Sequence, residues 1–407
     1  MAGDLSGITG MEFPLLNYAI YLVSVVFGYD HWYGRLINLM VTSIGIWCFY
    51  DYLKSRFNSK TAFNTAFCIV FSLFYYYSRK VMPDTFSIGL IFIGLWLWNK
   101  FNITKKGWLF ALGSLLVLFG ILSKLPSVVV LAFALPLLFD QPKRIPLYAI
   151  SLGAMGIVSG YWYFFWVPHL ENTYGFVHFY MGNSLVDTFS FLKSHWPETL
   201  HMFYEKALGY SGFIASGIGL FYLIQARMLT KLITASSILL LMGFMLKSGS
   251  KFTDHNYYIM PFVPFMAFSA AAFLSNAKKW ILLTALVIIA TEGVARYWDD
   301  QFIKKGADLA YLDETIDPYI EQNELIVINS GIYPTPIYFA HRKGWIAHNR
   351  QLQNASYMRK IITKGCAFAI ILKQRFGENT NLPYELVFEN ESIKLYSLQE
   401  NKDGPAQ

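Results

Sequence analysis

Charge is scarce in this sequence. Only 14% of its 407 residues are Asp, Glu, Lys or Arg, while 55% are hydrophobic and 18% aromatic; soluble domains carry roughly 25% charged residues. So much apolar surface needs lipid, which excludes both an ordinary water-soluble domain and a disordered chain. Cysteine is scarcer still. Three residues, Cys48, Cys68 and Cys366, cannot staple a chain this long. The first two sit in apolar runs, where a thiol serves as soft core filler. Also missing are a Gly-rich phosphate loop, a Walker lysine motif and a dinucleotide fingerprint, so a soluble nucleotide donor has no visible seat. The histidines His169, His178, His195 and His201 match no standard zinc spacing, and no cysteine joins them. No cofactor is identified, and the pattern lends a divalent metal no support.

The charges that do occur are unevenly placed. Before Arg35 there are 3 acidic and no basic residues, between Arg35 and Trp298 there are 21 basic and 9 acidic, and after Trp298 there are 12 basic and 14 acidic. The chain is thus expected to comprise residues 1–34, part of a first outward loop; 35–298, an all-α polytopic membrane domain; and 299–407, a small water-soluble α/β domain facing outward. About ten apolar runs approach the roughly 20 residues that a span needs, among them Thr61 to Ser78, Gly107 to Ser123 and Leu125 to Phe139. Basic residues gather in alternate connectors: Lys54, Arg56 and Lys60; Lys100, Lys105 and Lys106; Lys143 and Arg144; Arg227 and Lys231; Lys278 and Lys279. The positive-inside rule makes these connectors cytoplasmic and turns the others outward, so the basic balance reflects topology and not nucleic acid.

Residues 1–34 hold neither the basic region nor the cleavage site of a signal peptide. Pro14 to Phe27 is too short to span comfortably and reads as a helix lying in the outer interface. An outward N-terminus then requires a preceding span, so a first span is expected to be missing from this sequence. The rival reading is that Pro14 to Phe27 crosses obliquely.

Five segments share the outward side: Gly10-Met-Glu-Phe-Pro-Leu-Leu-Asn-Tyr18, Gly34-Arg-Leu36, Tyr77-Ser-Arg-Lys-Val-Met-Pro-Asp84, Ser123-Lys-Leu-Pro126 and His255-Asn-Tyr-Tyr-Ile-Met-Pro261. In this order the chain resembles the GT-C fold membrane glycosyltransferases of the protein O-mannosyltransferase and aminoarabinose-transferase type, from about residue 10 to residue 298. The resemblance implies a multi-span enzyme that takes a sugar from a dolichyl- or undecaprenyl-phosphate carrier and gives it to a lipid, glycan or protein acceptor at the outer face of a bacterial inner membrane. It also implies an acidic base in the first outward loop. This chain begins inside that loop, which puts the base in doubt and leaves Glu12 as one of the few acids there.

Such a transfer needs cations for the leaving phosphate, a carboxylate for the acceptor proton and an apolar groove for the isoprenoid. Arg79, Lys80 and Asp84 share one short connector, where Arg suits bidentate phosphate contact and Lys a point charge. The plainer reading of these residues is a snorkelling anchor followed by an acid at a helix N-terminus. Lys124 stands between two apolar runs with no carboxylate within four positions, and a cation there is costly unless an anion meets it. A lipid phosphate is such an anion; a hairpin lysine reaching interfacial water is the alternative. His255 and Tyr258 are expected to orient the phosphate, against the competing reading of an interfacial tyrosine belt. Glu12 and Asp84 are the candidate catalytic acids. Asp4 reads as a surface residue, Arg35 as half of a structural ion pair, and Glu292 and Arg296 as a helix-stabilising i,i+4 pair.

In the tail, Glu324 to Asn329, Cys366 to Leu372 and Ser392 to Ser397 read as strands, and Pro336 to Arg342 and Tyr357 to Thr363 as helices. His341, Arg342, Lys343 and Trp345 form a basic-aromatic cluster, read first as a solvated helix end. Two other functions compete with transfer. A lipid-linked sugar flippase calls for charges at mid-membrane depth and paired interrupted helices, and a truncated, inactive member of a glycan-assembly complex calls for the missing loop.

Overall fold

Caps and prolines decide where the helices of this protein start, stop and break. The computed structural model describes residues 10–174, 184–302, 309–374, 376 and 380–399. Two compact units divide near Trp298. The first is helical: α1 (Leu15–Phe27), α2 (Tyr33–Arg56), α3 (Ser59–Val70), α4 (Leu73–Ser78), α5 (Pro83–Thr104) and α6 (Gly107–Ser123). After a 3₁₀ segment, Leu125–Ala134, come α7 (Leu135–Asp140), α8 (Ile145–Tyr161), α9 (Val167–Tyr174), α10 (Leu185–Ser194) and α11 (Trp196–His201). A π segment, Met202–Ala207, leads to α12 (Gly209–Gln225), α13 (Met228–Ser248) and α14 (Lys251–Asp254). A further 3₁₀ segment, Asn256–Phe262, opens α15 (Val263–Asn276), and α16 (Lys279–Phe302) closes the unit.

Among the described residues, six helical stretches are long and apolar enough to cross a membrane: Tyr33–Arg56, Pro83–Thr104, Pro142–Tyr174, Met228–Ser248, Asn256–Asn276 and Lys279–Trp298. A seventh arises if Trp196–Ala207 and Gly209–Gln225, bent by 102°, count as one. The chain is a multi-pass membrane protein, with fewer unbroken spans than it has apolar runs. The expected span Thr61 to Ser78 breaks where Ser72 caps α4 through Phe74 N, and the expected span Leu125 to Phe139 is mostly 3₁₀, with Pro126 and Pro136 each near a helix start. The connector from Pro168 to Ala207, one of those that the charge pattern turns outward, is largely helical where described. Helix α1 has 13 residues, about 20 Å, which falls short of the hydrocarbon thickness.

Close helix crossings use glycine. A Cβ on Gly45 of α2 would lie 2.7 Å from the Gly89 Cα of α5, so these two backbones touch. Gly45→Val is expected to cost about 3 kcal/mol by overpacking. Gly153→Val, at a position with nothing within 4 Å, should leave the thermal midpoint of the detergent-solubilised chain unchanged, and comparing the two melts checks the difference.

At one end of the helices one cation each of α2 and α5, and Arg144 just before α8, are tied inward. Arg56 pairs with Asp140 and donates to Asn99 Oδ1, Arg144 donates to Asn102 Oδ1 at 2.9 Å, and Lys100 pairs with Asp51 at 2.9 Å. The opposite end carries the starts of α2 and α5 and the end of α6.

The C-terminal unit is a three-layer α/β fold. Its sheet runs β2 (Gly344–Ile346), β1 (Leu325–Ile328), β3 (Cys366–Leu372), β5 (Ile393–Ser397), β4 (Glu385–Glu389), with β2, β1 and β3 parallel and the last two pairings antiparallel. Alternation sends Ile326, Ile328, Ile370 and Leu395 to one core with α17 (Leu312–Ile316) and the neighbourhood of α18 (Thr335–Phe339). Val327, Ala369, Ile371 and Tyr396 face the other, with α19 (Asn349–Leu352) and α20 (Ala355–Ile362). Strands β2 and β4 were not legible: β2 has three residues, one a glycine at φ +147, and β4 is a largely exposed edge strand. The basic-aromatic cluster is not a solvated helix end at its centre. Arg342 is buried, donating to Asp317 Oδ1 at 2.8 Å and to the Ile320 carbonyl at 2.6 Å.

All three cysteines are free and buried, and burial pushes the Cys366 thiol up to about 12. Maleimide at neutral pH should therefore leave the folded chain unlabelled and react with all three thiols only after denaturation, as mass spectrometry would show.

Candidate active site

Two of the helix breaks fall at one polar cluster. Helix α6 ends where Lys124 turns extended, φ −162 and ψ 107, ahead of Pro126, and its carbonyl accepts from Ser127 Oγ at 2.6 Å. The second break is at His255, φ −130, ahead of the 3₁₀ segment that contains Pro261. Helix α5 contributes its first turn, with Pro83 at its start and Asp84 beside it, an arrangement that suits an acid near exposed N–H groups.

Glu12 reaches the cluster on the stretch before α1. Phe13 N donates to the Leu122 carbonyl at 3.0 Å, and the Phe13 ring packs edge-on to Trp162 at 4.9 Å. The Tyr163 hydroxyl donates to the same Leu122 carbonyl at 2.7 Å. Glu12 is thereby fixed against the last turn of α6. Behind Asp84, Asn38 of α2 donates to the Lys80 carbonyl at 2.7 Å and to Thr85 Oγ1 at 2.9 Å. Gly34 lets this corner close, since a Cβ there would stand 2.7 Å from Ile20 and 2.9 Å from Val81.

The result is one ammonium between two carboxylates. Lys124 Nζ lies 2.6 Å from Glu12 Oε1 and 3.9 Å from Asp84 Oδ2, with the Tyr257 ring centroid at 6.0 Å. Burial works against the Lys124 ammonium, but Asp84 and Glu12 outweigh it and hold its pKa above that of an ordinary lysine. The side chains differ in access: Glu12 is 28% exposed and Asp84 only 4%. The anion that Lys124 requires is thus supplied by the protein itself.

A cavity of about 490 Å³ opens beside the cluster, lined by Tyr77, Met82, His201, Lys206, His255 and Asn256 among others. The Tyr77 hydroxyl donates to Asn256 Oδ1 at 2.5 Å, which ties the 77–84 connector to the 255–261 segment. The His255 ring stacks on Tyr257 at 5.1 Å and on Tyr258 at 5.6 Å. Lys206 pairs with Glu205 at 2.7 Å, and His201 meets the same carboxylate.

The structure therefore brings Glu12, Asp84 and Lys124 together, with Tyr258 and His255 alongside. Arg79 and Lys80 are exposed on the connector; Lys80 Nζ sits over the rings of Tyr76 at 4.4 Å and Tyr77 at 4.5 Å. Arg35, expected in an ion pair, is exposed and makes none among the described residues. Glu292 has a different structural role from the expected one alone: besides Arg296 at 3.5 Å it accepts from Tyr210 N at 2.7 Å and Ser211 N at 2.9 Å, capping α12. Asp4 and His178 lie outside the described residues. No three His, Cys, Asp or Glu residues converge on a metal position among those described. Sequence reasoning missed Lys206 as a cavity residue, because its only signal was a basic residue in a long connector.

Residues 12–164 match the family model described as dolichyl-phosphate-mannose-protein mannosyltransferase. No curated protein sequence matches the chain. Among solved structures, ArnT from Cupriavidus metallidurans bound to undecaprenyl phosphate is similar, with a TM-score of 0.61 at 12% identity over 97% of this chain and 89% of that one. The apo form of the same protein gives 0.59 at 11% identity, over 96% and 88%. At such identities the likeness is one of fold. The chain has the GT-C fold, and its residues 12–164 match the mannosyltransferase family model.

Proposed function

We propose that the membrane unit transfers a glycosyl group from a polyprenyl-phosphate-linked donor to an acceptor hydroxyl. The single observation that carries this reading is Lys124 held between Glu12 and Asp84, 6.0 Å from the ring of Tyr257, which lines the neighbouring cavity. A donor phosphate competes with Glu12 for the ammonium. Once the phosphate occupies Lys124, Glu12 is released toward the acceptor, while the more buried Asp84 keeps the ammonium in place. The acceptor oxygen then attacks the anomeric carbon, its proton passes to Glu12, and the bond from that carbon to the phosphate oxygen breaks. Polyprenyl phosphate leaves with its added charge facing Lys124.

Arg79 and His255 serve the phosphate from the rim, and Lys80 and Tyr258 shape its approach. The polar groups sit at helix ends, in the first turn of α5 and at the end of α6, which supports chemistry at a membrane surface over passage through mid-membrane. With the basic connectors cytoplasmic, the cluster and the C-terminal unit face outward, in a bacterial inner membrane by the resemblance. The acceptor is a lipid, glycan or protein of the envelope. Incubating the reconstituted chain with polyprenyl-phosphate sugar labelled in the sugar tests this. Label moving to an acceptor, together with release of free polyprenyl phosphate, supports transfer; intact donor appearing on the far side of the vesicle supports a flippase instead.

A further inference from the structure

The C-terminal unit has a crevice of its own. The chain leaves β1 for β2 on one side, then crosses back over β1 to reach β3 on the other, with helices on both faces. The loops after β1 and β3 therefore diverge at the carboxyl ends of the parallel strands, the position where open α/β sheets take ligands. A cavity of about 590 Å³ lies there. Its rim joins Ser330, Gly331 and Tyr333 after β1 with His348 and Arg350 after β2 and Phe376 after β3, and none of the described lining residues is acidic.

This crevice is held open by its own hydrogen bonds. Asn329 donates to Asn349 Oδ1 at 3.0 Å and accepts from Leu372 N at 2.6 Å, and Asn349 donates to the Phe376 carbonyl at 2.8 Å. Those bonds lock the three strand ends together and consume the amides. Gly331, at φ +62, lies so close to the His348 ring that a Cβ would stand 2.9 Å from Cε1, so the loop cannot carry a side chain there. What is left for a ligand is the 59% exposed Tyr333 ring, 5.9 Å from Phe376, and the exposed guanidinium of Arg350, which makes no hydrogen bond or ion pair among the described residues.

An aromatic face beside a guanidinium, with no carboxylate among the described lining residues, suits a sugar ring that carries an acid. We infer that this crevice binds an anionic sugar, its ring on Tyr333 and its carboxylate or phosphate on Arg350. Its role as an acceptor subsite rests on the transferase reading above; the binding itself does not.

Saturation-transfer NMR on the full chain in detergent tests this with four probes: glucuronic acid, glucose 6-phosphate, glucose and inorganic phosphate. One or both acidic sugars should bind at millimolar concentration, and glucose and phosphate about tenfold more weakly. Which acidic sugar binds tells a carboxylate from a phosphate. Arg350→Gln and Tyr333→Ala should each weaken binding about fivefold or more with an unchanged melting temperature, since both residues are exposed. Lys124→Gln should leave this binding intact even as it lowers transfer by about a hundredfold or more, so failure of one reading is distinguishable from failure of the other. Absence of binding by both acidic sugars, phosphate binding as well as glucose 6-phosphate, or indifference to Tyr333→Ala would each overturn the inference.

Discussion

Lys124→Gln lowers glycosyl transfer by about a hundredfold to a thousandfold, the loss seen when one preorganised group facing developing negative charge is removed. The leaving phosphate gains charge as the sugar bond breaks, and no other ammonium among the described residues stands as close to both candidate acids. The same change leaves Glu12 and Asp84 facing each other without their cation, so about 1–3 kcal/mol of stability goes with it. Lys124→Arg keeps the charge in a larger, planar group, and should retain the stability while recovering only part of the rate. Initial rates with labelled donor, set against thermal melts of the same preparations, separate the two effects. A Lys124→Gln protein that is folded and fully active would exclude the cation from the reaction.

Glu12→Gln separates binding from chemistry in a way that a simple loss of function does not. Glutamine keeps the shape and cannot accept the acceptor's proton, so transfer falls by about a hundredfold or more. The carboxylate that competes for Lys124 is gone as well, so polyprenyl phosphate should bind several-fold more tightly, a gain of about 0.5–1 kcal/mol for a partly exposed pair. Asp84→Asn behaves differently. Asp84 is only 4% exposed and more distant from Nζ, so its loss slackens the hold on Lys124 and weakens both binding and rate. Titrating each variant with the lipid phosphate and measuring transfer in parallel distinguishes base from anchor. Equal loss of binding and rate in Glu12→Gln would make Glu12 a structural partner only.

Much of this was legible before the fold was seen, for definite physical reasons. Long apolar runs with basic connectors specify a multi-span protein, and Lys124 stood out because a lone cation between apolar runs needs an anion. The identity of that anion was hidden. Glu12 precedes Lys124 by 112 positions, and the contact exists only because Phe13 pins its stretch to Leu122. The length of the apolar runs marked α5 and α6, yet it could not tell that Leu125 to Phe139 is mostly 3₁₀, since the same apolar residues suit an α-helix. In the tail, buried β1, β3 and β5 announced themselves by composition, whereas the edge strands β2 and β4 have no such signal. Arg342 shows the converse error: a basic residue that looked solvated is buried on Asp317.

Native mass spectrometry of the purified chain with a short-chain polyprenyl phosphate tests the heart of the reading most directly. One lipid phosphate should bind the wild-type protein, bind Glu12→Gln more tightly, and fail to bind folded Lys124→Gln at the same concentration. Equal occupancy in all three would mean that the cluster of Glu12, Asp84 and Lys124 serves only to brace the helix ends.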